Sequence, residues 1–365
     1  MAVDRVTRIQ VSGLRCLEDV TLDVEGLTLL VGGSGTGKSS LVEACRLLHL
    51  AAREDFVERL YAVHGLLGPR REPSRPLALG ARIETPDGPL SYEFAYRQDA
   101  LGPYVARESL VLGEGRAETF IRRDAEECLI KYRGSFEHLA PPRDRLLLVS
   151  RDHEEADAIH RMRTALERIE VHVPFEVRPT WASREGKRET ATRQDVLLEP
   201  TDQLALFGAN LANAYHALRN DFGERHWADT LEYVRLGLGQ QLDSVVTPAS
   251  AEGGRIGVAL TWKGRRDPLP ARVLSGGQLA YLAWVALYRL GQGGSLLAFD
   301  QPEVHLPPHL AARVVTFLRA LAEERPVLLA THAPRLMAEV PEADHVHCEL
   351  DEQGLTCLVR PQGSR

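Results

Sequence analysis

Residues 27–40 read "LTLLVGGSGTGKSS": an apolar run, four glycines within six residues, then a lysine and two serines that open a stretch with helical spacing. A short apolar run bounded by glycine reads as a buried strand. The stretch 32–39 fits G-x-x-x-x-G-K-[ST], and a strand before it with a helix after it is the setting in which that motif forms a phosphate loop. Gly32, Gly33, Ser34, Gly35, Thr36 and Gly37 let successive backbone N–H groups face inward, and the helix starting near Lys38 adds its partial positive charge. Lys38 is expected to reach terminal phosphates, Ser39 to offer its hydroxyl to Mg²⁺, and Ser40 to complete the set. The alternative is a purely structural glycine turn.

Two more clusters follow. In "VLSGGQLAYLAWVALYRL", Leu274, Ser275, Gly276, Gly277 and Gln278 precede an apolar helix; taken alone, this is a helix start with Ser275 as its cap. In "SLLAFDQPEVHL" a buried strand runs into Asp300, Gln301 and Glu303, and "VLLATHAP" ends a second strand at His332. Ser275 lies 25 residues before Asp300, and Asp300 lies 32 before His332.

This order of phosphate loop, LSGGQ, strand with Asp and strand ending in His resembles the ABC-type ATPases. Within them, "IQVSGLRCLEDVTLDVEGLTLLVGGSGTGKSSLVEA", "DQPEVHLPP" and "THAPRL" are similar to the stand-alone RecF/SMC-like ATPases of DNA repair and anti-phage systems. The resemblance implies an α/β, ABC-type P-loop NTPase domain with a β-rich subdomain and a helical lobe carrying LSGGQ. It implies ATP and Mg²⁺ as ligands, Ser39 and Asp300 on the metal, and Arg15 leaning toward the phosphates. It also implies a homodimer closed by two ATP molecules, in which Ser275, Gly276, Gly277 and Gln278 of one copy cover the phosphate loop of the other. His332 becomes a γ-phosphate sensor, against the plain alternative of a core histidine.

Gln301 departs from that pattern, because an amide cannot take a proton from an attacking water. Glu303 is the candidate base, with Gln301 positioning the water; the competing reading has Glu303 capping the helix near Pro307. An inter-lobe glutamine is not assignable, with Gln98 and the 150–151 segment as the options. The functions in view are a RecF-like ATPase coupled to DNA or a separate effector protein, a nucleotide-gated clamp with little turnover, and a transporter ATPase subunit.

With 44% apolar content over 365 residues, the chain can bury a large core. The sequence divides into a nucleotide lobe with a β-rich insertion (1–151), a helical lobe (152–242) and a lobe with LSGGQ, Asp300 and His332 (243–365). No heptad pattern persists, which argues against a coiled-coil arm. No apolar run approaches the roughly 20 residues of a membrane span, and no signal peptide is evident, so the cytoplasm is expected. The chain runs 33 residues past His332, too few for an appended nuclease. Five scattered cysteines suggest neither disulfides nor a zinc site. A net charge of −7 argues against a globally basic nucleic-acid binder. Local basic stretches (Arg70, Arg71, Arg75; Arg184, Lys187, Arg188, Arg193; Lys263, Arg265, Arg266) read as solvated loops or as phosphate contacts.

Overall fold

The structure, a computed structural model, describes residues 4–64, 75–114, 117–124, 127–150, 157–179, 190–249, 253–291 and 293–361. The chain opens with strands β1 (Val6–Ser12), β2 (Val20–Asp23) and β3 (Leu27–Val31), then helices α1 (Lys38–Ala51) and α2 (Phe56–His64). Six strands follow: β4 (Leu77–Thr85), β5 (Gly88–Asp99), β6 (Gly102–Leu112), β7 (Glu118–Arg123), β8 (Cys128–Tyr132) and β9 (Ser135–His138). With β1 and β2 they form one antiparallel sheet in the order β2-β1-β4-β5-β6-β7-β8-β9. Strand β5 shows why: Leu90, Tyr92, Phe94 and Tyr96 alternate inward, a period of two that buries one face. The hairpins are therefore not a separate insertion. They extend a sheet begun by β1, whose Ile9 and Val11 pair with Ala81 and Leu79 of β4.

Helix α3 (Asp157–Glu167) and strand β10 (Ile169–His172) come next, then β11 (Val196–Leu197), α4 (Leu211–Asn220), α5 (Glu224–Leu238) and the short strands β12 (Leu242–Val246), β13 (Arg255–Ile256), β14 (Ala259–Trp262) and β15 (Leu269–Pro270). The chain ends with α6 (Gly276–Leu290), β16 (Leu296–Asp300), α7 (Pro308–Glu324), β17 (Val327–Ala330), α8 (Pro334–Glu339), β18 (His345–Leu350) and β19 (Thr356–Val359). The second large sheet has the order β10-β16-β17-β3-β18-β19, parallel except for its last pair. Part of the stretch expected to be a helical lobe thus belongs elsewhere: β10 is an edge strand of the parallel sheet, while α4 and α5 pack on α6.

The parallel sheet separates two cores. Leu30, Leu296, Ala298, Leu328 and Ala330 face α1 and the antiparallel sheet, whereas Leu29, Val31, Leu297, Phe299 and Leu329 face α6 and α7. Both faces are covered, which is why these strands read as unbroken apolar runs. Trp284 of α6 stacks on Phe299 with centroids 4.4 Å apart, seating the helix on the Asp300 strand. The longest described helix, α7, has 17 residues, and no long arm leaves the domain among the described residues.

A buried ion pair crosses beneath this sheet: Arg325, after α7, forks onto Glu170 of β10 at 2.7 and 3.1 Å. Gly294 makes the space, since a Cβ there would lie 1.7 Å from Arg325 Nη1. A pair so enclosed adds little net stability over apolar packing, but breaking it leaves a charge stranded, so it ties β10 to the end of α7.

Two residues on, His172 is fully buried, stacked on Phe299, with neither ring nitrogen hydrogen-bonded. Burial, reinforced by Arg325 and opposed by Glu170, pushes its pKa down to about 4. The unfolded imidazole binds a proton near its usual value and the folded one does not, so stability is full above about pH 6.5 and falls as pH drops toward 4. His172→Phe is expected to remove that decline, about 3 kcal/mol over the window, measured as urea midpoints at pH 7, 6, 5 and 4.5. Equal pH slopes in both proteins would contradict it.

Candidate functional site

Strands β3, β17 and β16 end level with one another, with Leu30, Ala330 and Asp300 in register. Beyond this edge the chain leaves β3 through residues 32–37, of which Gly33, Ser34 and Gly35 are exposed. Two glycines are required by contact. A Cβ on Gly32 would lie 2.3 Å from the Cys348 carbonyl oxygen, and one on Gly37 (φ 96°) would lie 2.5 Å from Thr356 Oγ1. The β18–β19 hairpin is thus laid directly on the loop. Thr356 Oγ1 donates to Thr36 O at 3.0 Å, and its N–H to Cys16 O at 2.9 Å.

Lys38 is 3% exposed and donates to Gly32 O (3.0 Å), Gly33 O (2.6 Å) and Thr36 Oγ1 (3.3 Å). Burial lowers its pKa, while Cys348 and Asp300 act in the opposite direction. Ser39 Oγ donates to Asp300 Oδ1 at 3.1 Å, joining the two residues assigned from sequence to one metal. Asp300 has its pKa raised by burial, against the Ser39 hydrogen bond and the positive fields of His332 and Lys38. A hydroxyl and a carboxylate are hard oxygen donors that suit Mg²⁺. Among the described residues no group of three or more His, Cys, Asp or Glu forms a metal cage.

Gln301 follows Asp300 in a left-handed conformation (φ 53°), held by its N–H donating to Ala330 O at 2.7 Å. Such a backbone costs a non-glycine residue on the order of 1 kcal/mol and turns the chain sharply off the strand. The turn brings Glu303 under β17, where Thr331 Oγ1 donates to its Oε1 at 2.8 Å. Its Oε2 is buried without a hydrogen-bond partner. Glu303 does not cap the next helix: α7 starts after Pro307 with no side-chain cap. His332, exposed, leaves the same strand end one residue after Thr331. Thr331 escaped the sequence reading; its signal was a threonine placed beside that histidine at the strand end.

Ser275 and Gln278 form a reciprocal capping box, Gln278 N–H to Ser275 Oγ at 3.2 Å and Ser275 N–H to Gln278 Oε1 at 2.9 Å. This uses a lone pair of the serine and leaves its O–H free to donate outward. Ser275 is exposed, and the N–H groups of Gly276 and Gly277 open α6. No hydrogen bond links residues 275–278 with 32–40 among the described residues.

Arg15 (φ 51°) is bound to Glu43 at 2.6 Å and donates to Ser40 Oγ at 3.3 Å, so α1 rather than the glycine loop holds it. It lines a cavity of about 220 Å³ that Ser39, Asp300, Arg46 and Arg59 also border. Gln98 lies in β5 of the antiparallel sheet and Ser150 after the turn Leu147–Val149, so neither sits on β10, the strand beside Asp300. Of the basic stretches, Arg70, Arg71, Arg184, Lys187 and Arg188 lie outside the described residues, as does Arg151. Arg75 pairs with Glu18, and Lys263, Arg265 and Arg266 are exposed. Arg193 is buried with its guanidinium donating to main-chain carbonyls, so it does not present its charge at the surface as the solvated-loop reading expects.

The sequence profile of a family described as "AAA domain, putative AbiEii toxin, Type IV TA system" matches residues 27–338. The chain belongs to this AAA-domain family. Its ABC-type fold is that of SMC heads. An SmcHead bound to the C-winged helix domain of ScpA aligns with a TM-score of 0.55 at 13% identity, over 97% of either chain. An Smc head with an extended coiled coil, bound to the C-terminal domain of ScpA derived from Pyrococcus furiosus, gives 0.51 at 12%, over 98% of this chain and 96% of the other. No curated protein matches the sequence. No described helix of this family member is long and apolar enough to cross a membrane.

Gly37→Ala is expected to lose at least tenfold in Mg-ATP affinity by calorimetric titration, because the methyl group would strike Thr356, with circular dichroism unchanged. Undiminished affinity would show that this loop does not hold the phosphates.

Proposed function

We propose that this AAA-domain protein is a Mg²⁺-dependent ATPase that closes as a head-to-tail homodimer and hydrolyses ATP with Glu303 as the base. The observation that carries the reading is the unpartnered Glu303 oxygen, buried at the edge where Ser39 and Asp300 meet. A buried carboxylate oxygen left without a donor is an expected feature of a group that accepts a proton during reaction.

The chain's own groups divide the work. Lys38 and the N–H groups of residues 32–39 bind the β- and γ-phosphates, and Ser39 and Asp300 would hold Mg²⁺, which supplies charge neutralisation at those phosphates. Thr331 orients Glu303 through one hydrogen bond. His332 offers an N–H to the γ-phosphate without a fixed full charge. Ser275, with the first N–H groups of α6, covers the phosphates bound by the second copy. Closure is coupled to DNA or to a separately encoded effector, in DNA repair or defence, within the cytoplasm. The net charge of −7 favours a protein effector, and both SMC heads above are bound to domains of a partner protein, ScpA.

A second reading, a clamp that binds ATP and barely turns it over, draws on Gln301, whose amide stands where a carboxylate would assist the water. Glu303→Gln is expected to lower phosphate release at least hundredfold while ATP-dependent dimerisation, followed by sedimentation velocity, persists. Turnover that survives the change removes Glu303 as the base. Gln301→Glu separates the readings: a gain of tenfold or more means the amide restrains hydrolysis, and no gain leaves Glu303 as the group that sets the rate.

A further inference from the structure

Arg193 closes the short turn Ala191–Arg193 and is 3% exposed. Its planar fork is directed at main-chain carbonyls from two segments far apart in sequence. Nε donates to Arg178 O at 2.9 Å and Nη2 to Val177 O at 3.0 Å. Nη1 reaches Ala271 O and Leu274 O, both at 2.8 Å, and Arg272 O at 3.2 Å. The first segment follows β10; the second is the turn Ala271–Val273 and Leu274, which feed directly into Ser275.

The surroundings continue the clamp. Thr192 Oγ1 donates to Glu176 O at 2.6 Å and Thr190 Oγ1 to Arg178 O at 3.1 Å, stitching 190–193 to 176–178. Val177 Cγ2 lies 3.3 Å from where a Cβ on Gly276 would stand. On the opposite side, a Cβ on Gly277 would lie 3.4 Å from His305 O. The Ser275 turn is thus gripped between the segment leaving β10 and the loop leaving Asp300. Only a residue with several donors in fixed directions can satisfy so many carbonyls at once.

We infer that Arg193 is the positioning residue of the Ser275 turn: it sets the height and angle at which Ser275 and the first N–H groups of α6 are presented to nucleotide held by a second copy. It does so from within its own chain, without touching that nucleotide, and ties the turn to the segment that follows β10, the strand beside that of Asp300. This rests on the head-to-tail reading above.

Arg193→Met is expected to lower turnover at least thirtyfold while ATP affinity, titrated at concentrations too low for dimerisation, stays within twofold. Arg193→Lys, with one ammonium able to serve only part of the carbonyl set, should recover part of the turnover and serves if the methionine variant does not fold. The deciding experiment mixes inactive proteins. With Lys38→Ala, Arg193→Met should regain roughly a quarter of wild-type turnover, because half the pairs are mixed and each contains one site built from an intact loop and an intact turn. A parallel mixture of Lys38→Ala with Ser275→Arg reports on the dimer itself. Recovery there but not with Arg193→Met overturns the role of Arg193 alone; recovery in neither overturns the head-to-tail reading and this inference with it. Wild-type turnover in Arg193→Met alone also overturns the inference.

Discussion

Everything at the candidate site depends on three parallel strands ending at one level. The register Leu30–Ala330–Asp300 is held from both faces by apolar side chains that alternate between the α1 core and the α6 core. Slipping β16 by one residue would exchange those faces and carry Asp300 away from Ser39. Because both faces are buried, the first place a polar group can appear is past the strand end, and three separate exits deliver Ser39, Thr331 with His332, and Asp300 with Glu303 to the same edge. Along β3, β16 and β17 the polar chemistry is concentrated at this end because the strands below it are almost wholly apolar.

The same physics explains which parts of the molecule were legible from residues alone. β3, β16 and β17 announce themselves as apolar runs cut off by glycine or by acid and histidine. The parallel edge strand β10 does not: "IEVH" is four residues long, follows directly on helical spacing in "RTALER", and contains an acid and a histidine that only Arg325 and Phe299 make tolerable. Arg193 was equally hidden. In "RETATRQD" it reads as one charge in a solvated run, and its partners are carbonyls, which every residue carries and no pattern marks. Glu303 stood between two readings because a proline-led helix begins five residues later, at Pro308; the orientation of its carboxylate toward Thr331 is a tertiary fact.

The phosphate loop adds a further constraint that its motif does not state. Its glycines are demanded by what lies on top of them, the Cys348 carbonyl and the Thr356 hydroxyl of the last hairpin, as well as by what they could hold beneath. Lys38, withdrawn from water, is bonded to two loop carbonyls and a threonine hydroxyl, so a phosphate entering the loop competes with neutral oxygens for a cation whose burial already disfavours its charge. A charged acceptor is the stronger partner in such surroundings, which makes the lysine selective for anions over the loop's own backbone.

Within one chain, the Ser275 helix is not free to swing relative to the Asp300 strand. Trp284 lies flat on Phe299, Phe175 meets both rings edge-on, and the carbonyls before Ser275 are bound through Arg193 to the segment that leaves β10. Close-packed aromatic contacts of this kind do not deform continuously; they hold or they break. Within one copy the Ser275 turn is thus packed toward the Asp300 strand, and no hydrogen bond joins it to its own phosphate loop among the described residues. The proposed two-copy site fits that packing: each chain would present the turn and the loop as parts of one body, and closure would bring two such bodies together.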